Sequence, residues 1–161
     1  MLIAINSVEN PAPSVALEYT FARRTRNGGN TKDVCHIWEL AGGTRLSDLV
    51  NIPIIETNIQ NTSIMIVVDL SKVLFGLTTQ PGQILALIKH FIDKIGLRVR
   101  QVLDGLEQRG SKRPKAMRSH AWIRFGADHP DRDQVIPFPI QLTICASKYD
   151  SLADMESYNS C

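Results

Sequence analysis

Hydrophobic and polar residues alternate from Val15 to Arg23, placing Val15, Leu17, Tyr19 and Phe21 on one side of an extended chain. Pro11 and Pro13 bar a helix from running directly into this stretch. After Asn27-Gly28-Gly29-Asn30 the alternation resumes, with Val34, His36, Trp38 and Leu40 opposite Cys35, Ile37 and Glu39. A period of two on either side of an Asn/Gly turn predicts an antiparallel hairpin.

The pattern then changes. Ile64-Met65-Ile66-Val67-Val68 is apolar without alternation, which predicts that Ser63 to Leu70 is a strand covered by helices on both faces. Ile140 to Ala146 reads the same way, with Pro137 and Pro139 just ahead of it. Together they predict parallel strands in a layered α/β domain. Between them lies a helix with Thr79 as N-cap, Pro81 in its first turn, and Ile84, Leu85, Leu87, Ile88, Phe91, Ile92 and Ile95 at helical spacing. Gly96 could close this helix at C′, yet Val99, Val102, Leu103 and Leu106 continue the stripe, so its end stays open. A second helix is expected from about Lys115 to Phe125, offering Trp122 and Phe125 to a core.

Composition and charge narrow the function classes. The chain has 161 residues, 43% of them hydrophobic, which suits one globular domain. Its formal charge of +2 argues for neither nucleic acid nor a membrane surface. Local clustering is more informative: Arg109, Lys112, Arg113, Lys115 and Arg118 read either as a solvated loop and helix start or as a contact for an acidic partner surface. The cluster lacks the interleaved aromatics that would stack on bases, so no nucleic-acid partner is expected. No run approaches the roughly 18 apolar residues of a bilayer span, and an intracellular protein without membrane insertion is expected.

Cys35, Cys145 and Cys161 have no C-x-x-C spacing, and the first two fall in strand-like runs, where buried, inert thiols are expected. His36, His90, His120 and His129 share no ligand spacing, so no metal site is predicted. Asp128-His129-Pro130-Asp131 reads as a proline-directed turn, and no G-x-S-x-G elbow is present.

Two further segments stand out. Trp38-Glu39-Leu40-Ala41-Gly42-Gly43-Thr44 follows one apolar strand, and Ser147-Lys148-Tyr149-Asp150 follows another. Both resemble landmarks of Ras-like nucleotide-binding domains, and the roles that follow are what that resemblance implies. In a guanine-binding site Asp150 would accept two donors from the base, and the stem of Lys148 would lie along it. Ser147 stands where Asn or Thr is usual. Ser147, Lys148 and Asp150 are therefore the candidate cofactor-binding residues, read as a vestigial motif. No G-x-x-x-x-G-K-[ST] loop occurs among the 161 residues, so nothing in them would neutralise a triphosphate. Glu39 replaces the Asp of D-x-x-G, and Gly43 and Thr44 stand where a water-positioning Gln would follow. Thr20, where a switch threonine would be sought, also suits a strand by propensity alone. No cofactor and no catalytic residues are expected, and the chain reads as a non-enzyme.

Ala16-Leu17-Glu18-Tyr19-Thr20-Phe21, His36-Ile37-Trp38-Glu39-Leu40, Asp69-Leu70-Ser71-Lys72, Pro137-Phe138-Pro139 and Ser147-Lys148-Tyr149-Asp150 occur in Ras-like order. With Lys32-Asp33 and Asp128-His129-Pro130-Asp131, they resemble the dynein light intermediate chain family in its cytoplasmic dynein 2 branch, from about Ser14 to Asp150. The resemblance implies a Ras-like P-loop NTPase three-layer α/β sandwich, with residues 1–161 forming a single partial domain. On that reading the phosphate-loop strand and the C-terminal strand and helix are absent, so the chain is truncated at both ends. The phosphate-loop strand would occupy the sheet centre, and each backbone group left unpaired there would cost about 1–3 kcal/mol. An isolated chain is accordingly expected to fold poorly. The resemblance further implies a non-catalytic motor subunit whose partners are the dynein-2 heavy chain and other dynein-2 subunits. Retrograde intraflagellar transport and cilium assembly are the implied roles, and cytoplasm, cytoskeleton and cilium, at basal body and axoneme, the implied locations. A small GTPase-like regulator of ciliary or vesicle trafficking is the alternative.

Overall fold

The computed structural model describes residues 14–25, 32–70, 81–126 and 128–148. The expected turn at 27–30, the N-cap Thr79, and residues 149–161 with Asp150 and Cys161 lie outside them. The chain divides into two compact units, Met1–Pro53 and Ile54–Cys161.

The first unit holds the hairpin that alternation predicted. β1 (Leu17–Thr25) pairs antiparallel with β2 (Lys32–Leu40), in a register that sets Leu17 opposite Leu40 and Thr25 opposite Lys32. Because the side-chain period is two, Leu17, Tyr19, Phe21 and Arg23 share a face with Val34, His36, Trp38 and Leu40. Cross-strand contacts on this face stabilise the pair. The Tyr19 and Trp38 rings lie 4.8 Å apart, and Tyr19 Oη shares a 2.7 Å hydrogen bond with His36 Nδ1. The Arg23 guanidinium sits 4.8 Å from the Phe21 ring centre. Cys35 faces the other way, opposite Ala22, and is exposed, contrary to the buried thiol expected. On β2 only Ile37 and Leu40 are half-buried, one on each face, an openness that a bare strand-like pattern does not reveal.

After β2, Ala41 N–H donates to Ala16 O at 2.7 Å. A 3-10 helix then runs over Gly43–Asn51, burying Ser47 and Val50. Gly42 enters it at φ 84°, in the left-handed region, where a Cβ would overlap the side chain of Leu46. Gly42→Ala is therefore expected to destabilise this unit by about 1–2 kcal/mol, read as a lower urea midpoint for the change in Trp38 fluorescence.

The second unit begins with a turn closed by Asn58, whose Oδ1 accepts from Ile55 N–H at 3.2 Å and whose carbonyl accepts from the Thr62 hydroxyl at 2.9 Å. A 3-10 turn, Ile59–Asn61, buries Ile59 completely and leads into β3 (Ser63–Asp69). The chain returns through α1 (Pro81–Gln108) and α2 (Arg113–Phe125) to β4 (Gln141–Ser147). β4 lies parallel to β3, with Ser63 opposite Gln141 and Asp69 opposite Ser147. The expected parallel pair is thus present, linked by a helical crossover as parallel strands require.

Two-sided coverage of β3 is not seen. Ile64, Ile66 and Val68 are half-buried, whereas Met65 is 55% and Val67 61% exposed. Ile144 and Cys145 on β4 are exposed as well, correcting the expectation of a second buried thiol. The half-buried positions Ile64, Ile66, Val68 and Leu142 lie on one face, yet Ile144, paired with Ile66 on that same face, is exposed, so cover is partial even there, which a continuous apolar run cannot show.

Gly96 does not end α1, which continues to Gln108. A Cβ there would stand 3.3 Å from Phe138 Cε2, so the glycine makes room for a ring. Ile95, Val99, Val102 and Leu103, at i, i+4, i+7 and i+8, form the buried stripe of α1. With Ile54, Ile59, Ala121 and Ile140 they make up the core of this unit. α1 closes at Gly110, φ 79°, with Gly110 N–H on Glu107 O and Ser111 N–H on Leu106 O. α2 starts two residues earlier than predicted because Pro114, fully buried, suits a first helical turn.

Candidate functional site

Ser147 and Lys148, two of the residues singled out for nucleotide chemistry, lie at the carboxyl end of β4 beside that of β3, where open parallel sheets place their ligands. Ser147 ends β4, and its hydroxyl donates to Val68 O at 3.1 Å. Leu70 N–H donates to Ser147 O at 3.1 Å, extending the ladder past Asp69. Lys148 then takes φ 58°, the left-handed region that a non-glycine residue seldom adopts. From there its Nζ reaches Asp69 Oδ2 at 2.8 Å. Asp69 was noted in the sequence only as part of the Asp-Leu-Ser-Lys resemblance. Its salt bridge to Lys148 bridges 79 residues of chain and becomes visible only when parallel register sets the strand ends side by side.

The structure brings Ser147 and Lys148 together with Asp69. Asp150 lies outside the described residues. Glu39, the D-x-x-G counterpart, is exposed on β2 directly across from Glu18, and Thr20 is exposed on β1. Two like carboxylates facing each other repel, which makes this edge of the hairpin a solvated surface.

The basic cluster divides in two. Arg109 pairs with Glu56, and Arg118 forks between Asp104 Oδ1 at 2.7 Å and Glu107 Oε2 at 2.8 Å. Hydrogen bonding to Glu107 is the main cause that holds the Arg118 guanidinium above its ordinary pKa, helped by the charges of both carboxylates and opposed by partial burial. These two arginines tie α1 to its neighbours. Among the described residues no ion pair involves Arg113 or Arg124. His129 orders the turn after α2 by accepting from Asp131 N–H at 3.2 Å through Nδ1. Among the described residues no group of three or more His, Cys, Asp or Glu side chains could hold a metal ion. Nor is any described helix long and apolar enough to cross a membrane.

No protein-family model matches the chain. Curated relatives do: cytoplasmic dynein 2 light intermediate chain 1 of Bos taurus is 38% identical over 157 residues, or 98% of this chain. The Homo sapiens protein of the same name is 36% identical over 157 residues, and that of Danio rerio 37% over 149. The chain belongs to the dynein 2 light intermediate chain family. It spans 42% of the length of the bovine and human family members and 39% of the zebrafish one. The family relation covers both units, from the hairpin to the carboxyl ends of β3 and β4.

Proposed function

We propose that the chain acts as a non-catalytic subunit of the cytoplasmic dynein 2 motor, holding the heavy chain and supporting retrograde intraflagellar transport and cilium assembly. The observation that carries this reading is identity of 36–38% with dynein 2 light intermediate chains across 97–98% of the chain in the mammalian relatives. Location follows from that role: cytoplasm, cytoskeleton and cilium, at basal body and axoneme.

The finer fold reading is a Ras-like domain used as scaffold. Its supports are the chain order hairpin, β3, helical crossover, parallel β4, and the placement of Ser147 and Lys148 at a strand end where a Ras-like domain would meet guanine. The non-catalytic reading rests on chemistry. Lys148 is engaged by Asp69, Glu39 faces another carboxylate across the hairpin, and residues 1–161 carry no phosphate-loop motif.

The test is co-expression of the tagged chain with the dynein-2 heavy chain, followed by size-exclusion chromatography. Stoichiometric co-elution is the expected result. Separate elution, under conditions where a full-length light intermediate chain co-elutes, overturns the proposal. Titration with a fluorescent GTP analogue and magnesium supplies a second arm, in which no saturable signal is expected. Saturable, magnesium-dependent binding would favour the GTPase-like regulator instead.

A further inference from the structure

Arg113, one of the basic cluster, faces a cleft. One side of α2 carries Arg113, His120 and Arg124 at i, i+7 and i+11, so the three side chains stack along a single helical face. Opposite them stand Asn61 at the end of the 3-10 turn, Ser63 at the start of β3 and Gln141 at the start of β4, around an open cavity of about 480 Å³. Met117, half-buried, and Ile140, 5% exposed, give it an apolar floor. Among the described residues no carboxylate lines it. The nearby acids Asp104 and Glu107 are taken by Arg118, so they do not neutralise this face.

We propose that this cleft is a docking site for an acidic peptide segment of a protein partner. Carboxylates on the peptide would meet Arg113 and Arg124 in charge-assisted hydrogen bonds, the geometry for which guanidinium is suited. An apolar side chain of the same segment would lie on Met117 and Ile140. The side-chain amides of Asn61 and Gln141 can both donate and accept, as an extended peptide backbone requires. The cavity volume falls in the range of sites that bury a compact ligand. A nucleic acid fits less well, because among the described residues no Phe, Tyr or Trp lines the cleft for stacking. The inference holds whether or not the partner is a motor subunit.

The experiment is fluorescence anisotropy with a fluorescein-labelled peptide of alternating glutamate and leucine and the 161-residue chain, whose cooperative Trp122 transition in urea first establishes that the Ile54–Cys161 unit is folded, against the poor folding expected from sequence. Saturable binding is expected, weakened about tenfold by R113A/R124A. The charge-matched control K112A/K115A, which removes two cations outside the cleft, should stay within about twofold of the parent. R113K/R124K keeps the charge but not the fork, and should recover part of the affinity. In the parent chain, titration with the peptide should move the amide resonances of Ser63, Met117 and Gln141, a readout that does not depend on how any variant folds. Absence of saturable binding, equal weakening by the lysine control, unmoved resonances at the cleft, or tighter binding of a single-stranded oligonucleotide of equal charge would each overturn the proposal. Because the probe contains no motor sequence, failure here is distinct from failure to co-elute with a heavy chain.

Discussion

Replacing Leu103 by alanine should lower the stability of the Ile54–Cys161 unit by about 2–5 kcal/mol. Leu103 is fully buried in the stripe that α1 turns toward the core, beside Val99 and Val102. The change removes apolar contact and leaves a cavity that neighbours fill only in part. Both terms act in the same direction. A folded domain holds only about 5–15 kcal/mol in total, so this one truncation takes a large share of it. The measurement is urea unfolding followed by Trp122 fluorescence, in a Trp38→Phe background so that the hairpin does not contribute. Leu103→Met, which nearly conserves volume, should cost less than about 1.5 kcal/mol. Equal losses from the two variants would show that side-chain volume is not what matters there. A loss below about 1 kcal/mol for Leu103→Ala would mean that the α1 stripe does not hold the unit together.

That stripe was legible because helical spacing over a long window is a strong signal, and the same holds for the alternating hairpin strands. The limits of such reading are equally physical. The spacing of Val99, Val102 and Leu103 predicted a core face but could not decide whether Gly96 interrupts it. The answer depends on Phe138, 42 residues away, which packs against the glycine. The unalternating apolar runs likewise marked β3 and β4 as a parallel pair while misjudging their cover: Met65, Val67 and Cys145 lie on one face and Ile144 on the other, and no local pattern encodes how either is covered. The 3-10 helix at Gly43–Asn51 went unforeseen because its short, mixed run matches neither period.

At the strand ends, Ser147 and Lys148 were readable from a motif, but the Asp69 partner required register. The basic cluster shows the same boundary most clearly. Counting charges treats Arg109 through Arg118 as one cluster, either solvated or a contact for an acidic partner, whereas folding spends Arg109 and Arg118 on Glu56, Asp104 and Glu107. Arg113 is left to act with His120 and Arg124, which lay beyond the cluster as read. The i, i+7, i+11 spacing of those three was available in the sequence. What was missing is the opposing wall, drawn from residues 60–63 and 139–141.

The second large effect joins packing to that wall. Ala121 is 3% exposed on α2, and Pro114, one helical repeat earlier, is buried with it. The side of α2 that carries Arg113, His120 and Arg124 is adjacent, so the buried edge fixes where the cationic face points. Ala121→Glu would force a longer side chain and an unpaired carboxylate into a space sized for a methyl group. Overpacking alone costs about 1–3 kcal/mol, and desolvating an uncompensated charge adds several more. The expected result is loss of the cooperative Trp122 transition in urea, together with loss of acidic-peptide binding at every salt concentration. Ala121→Ser tests the same position gently, because a serine hydroxyl in a helix can bond the carbonyl four residues back. It should retain both the transition and the binding. If Ala121→Glu unfolds the unit while the peptide still binds with unchanged affinity, the cationic face does not depend on α2 being seated, and the peptide is held by charge alone.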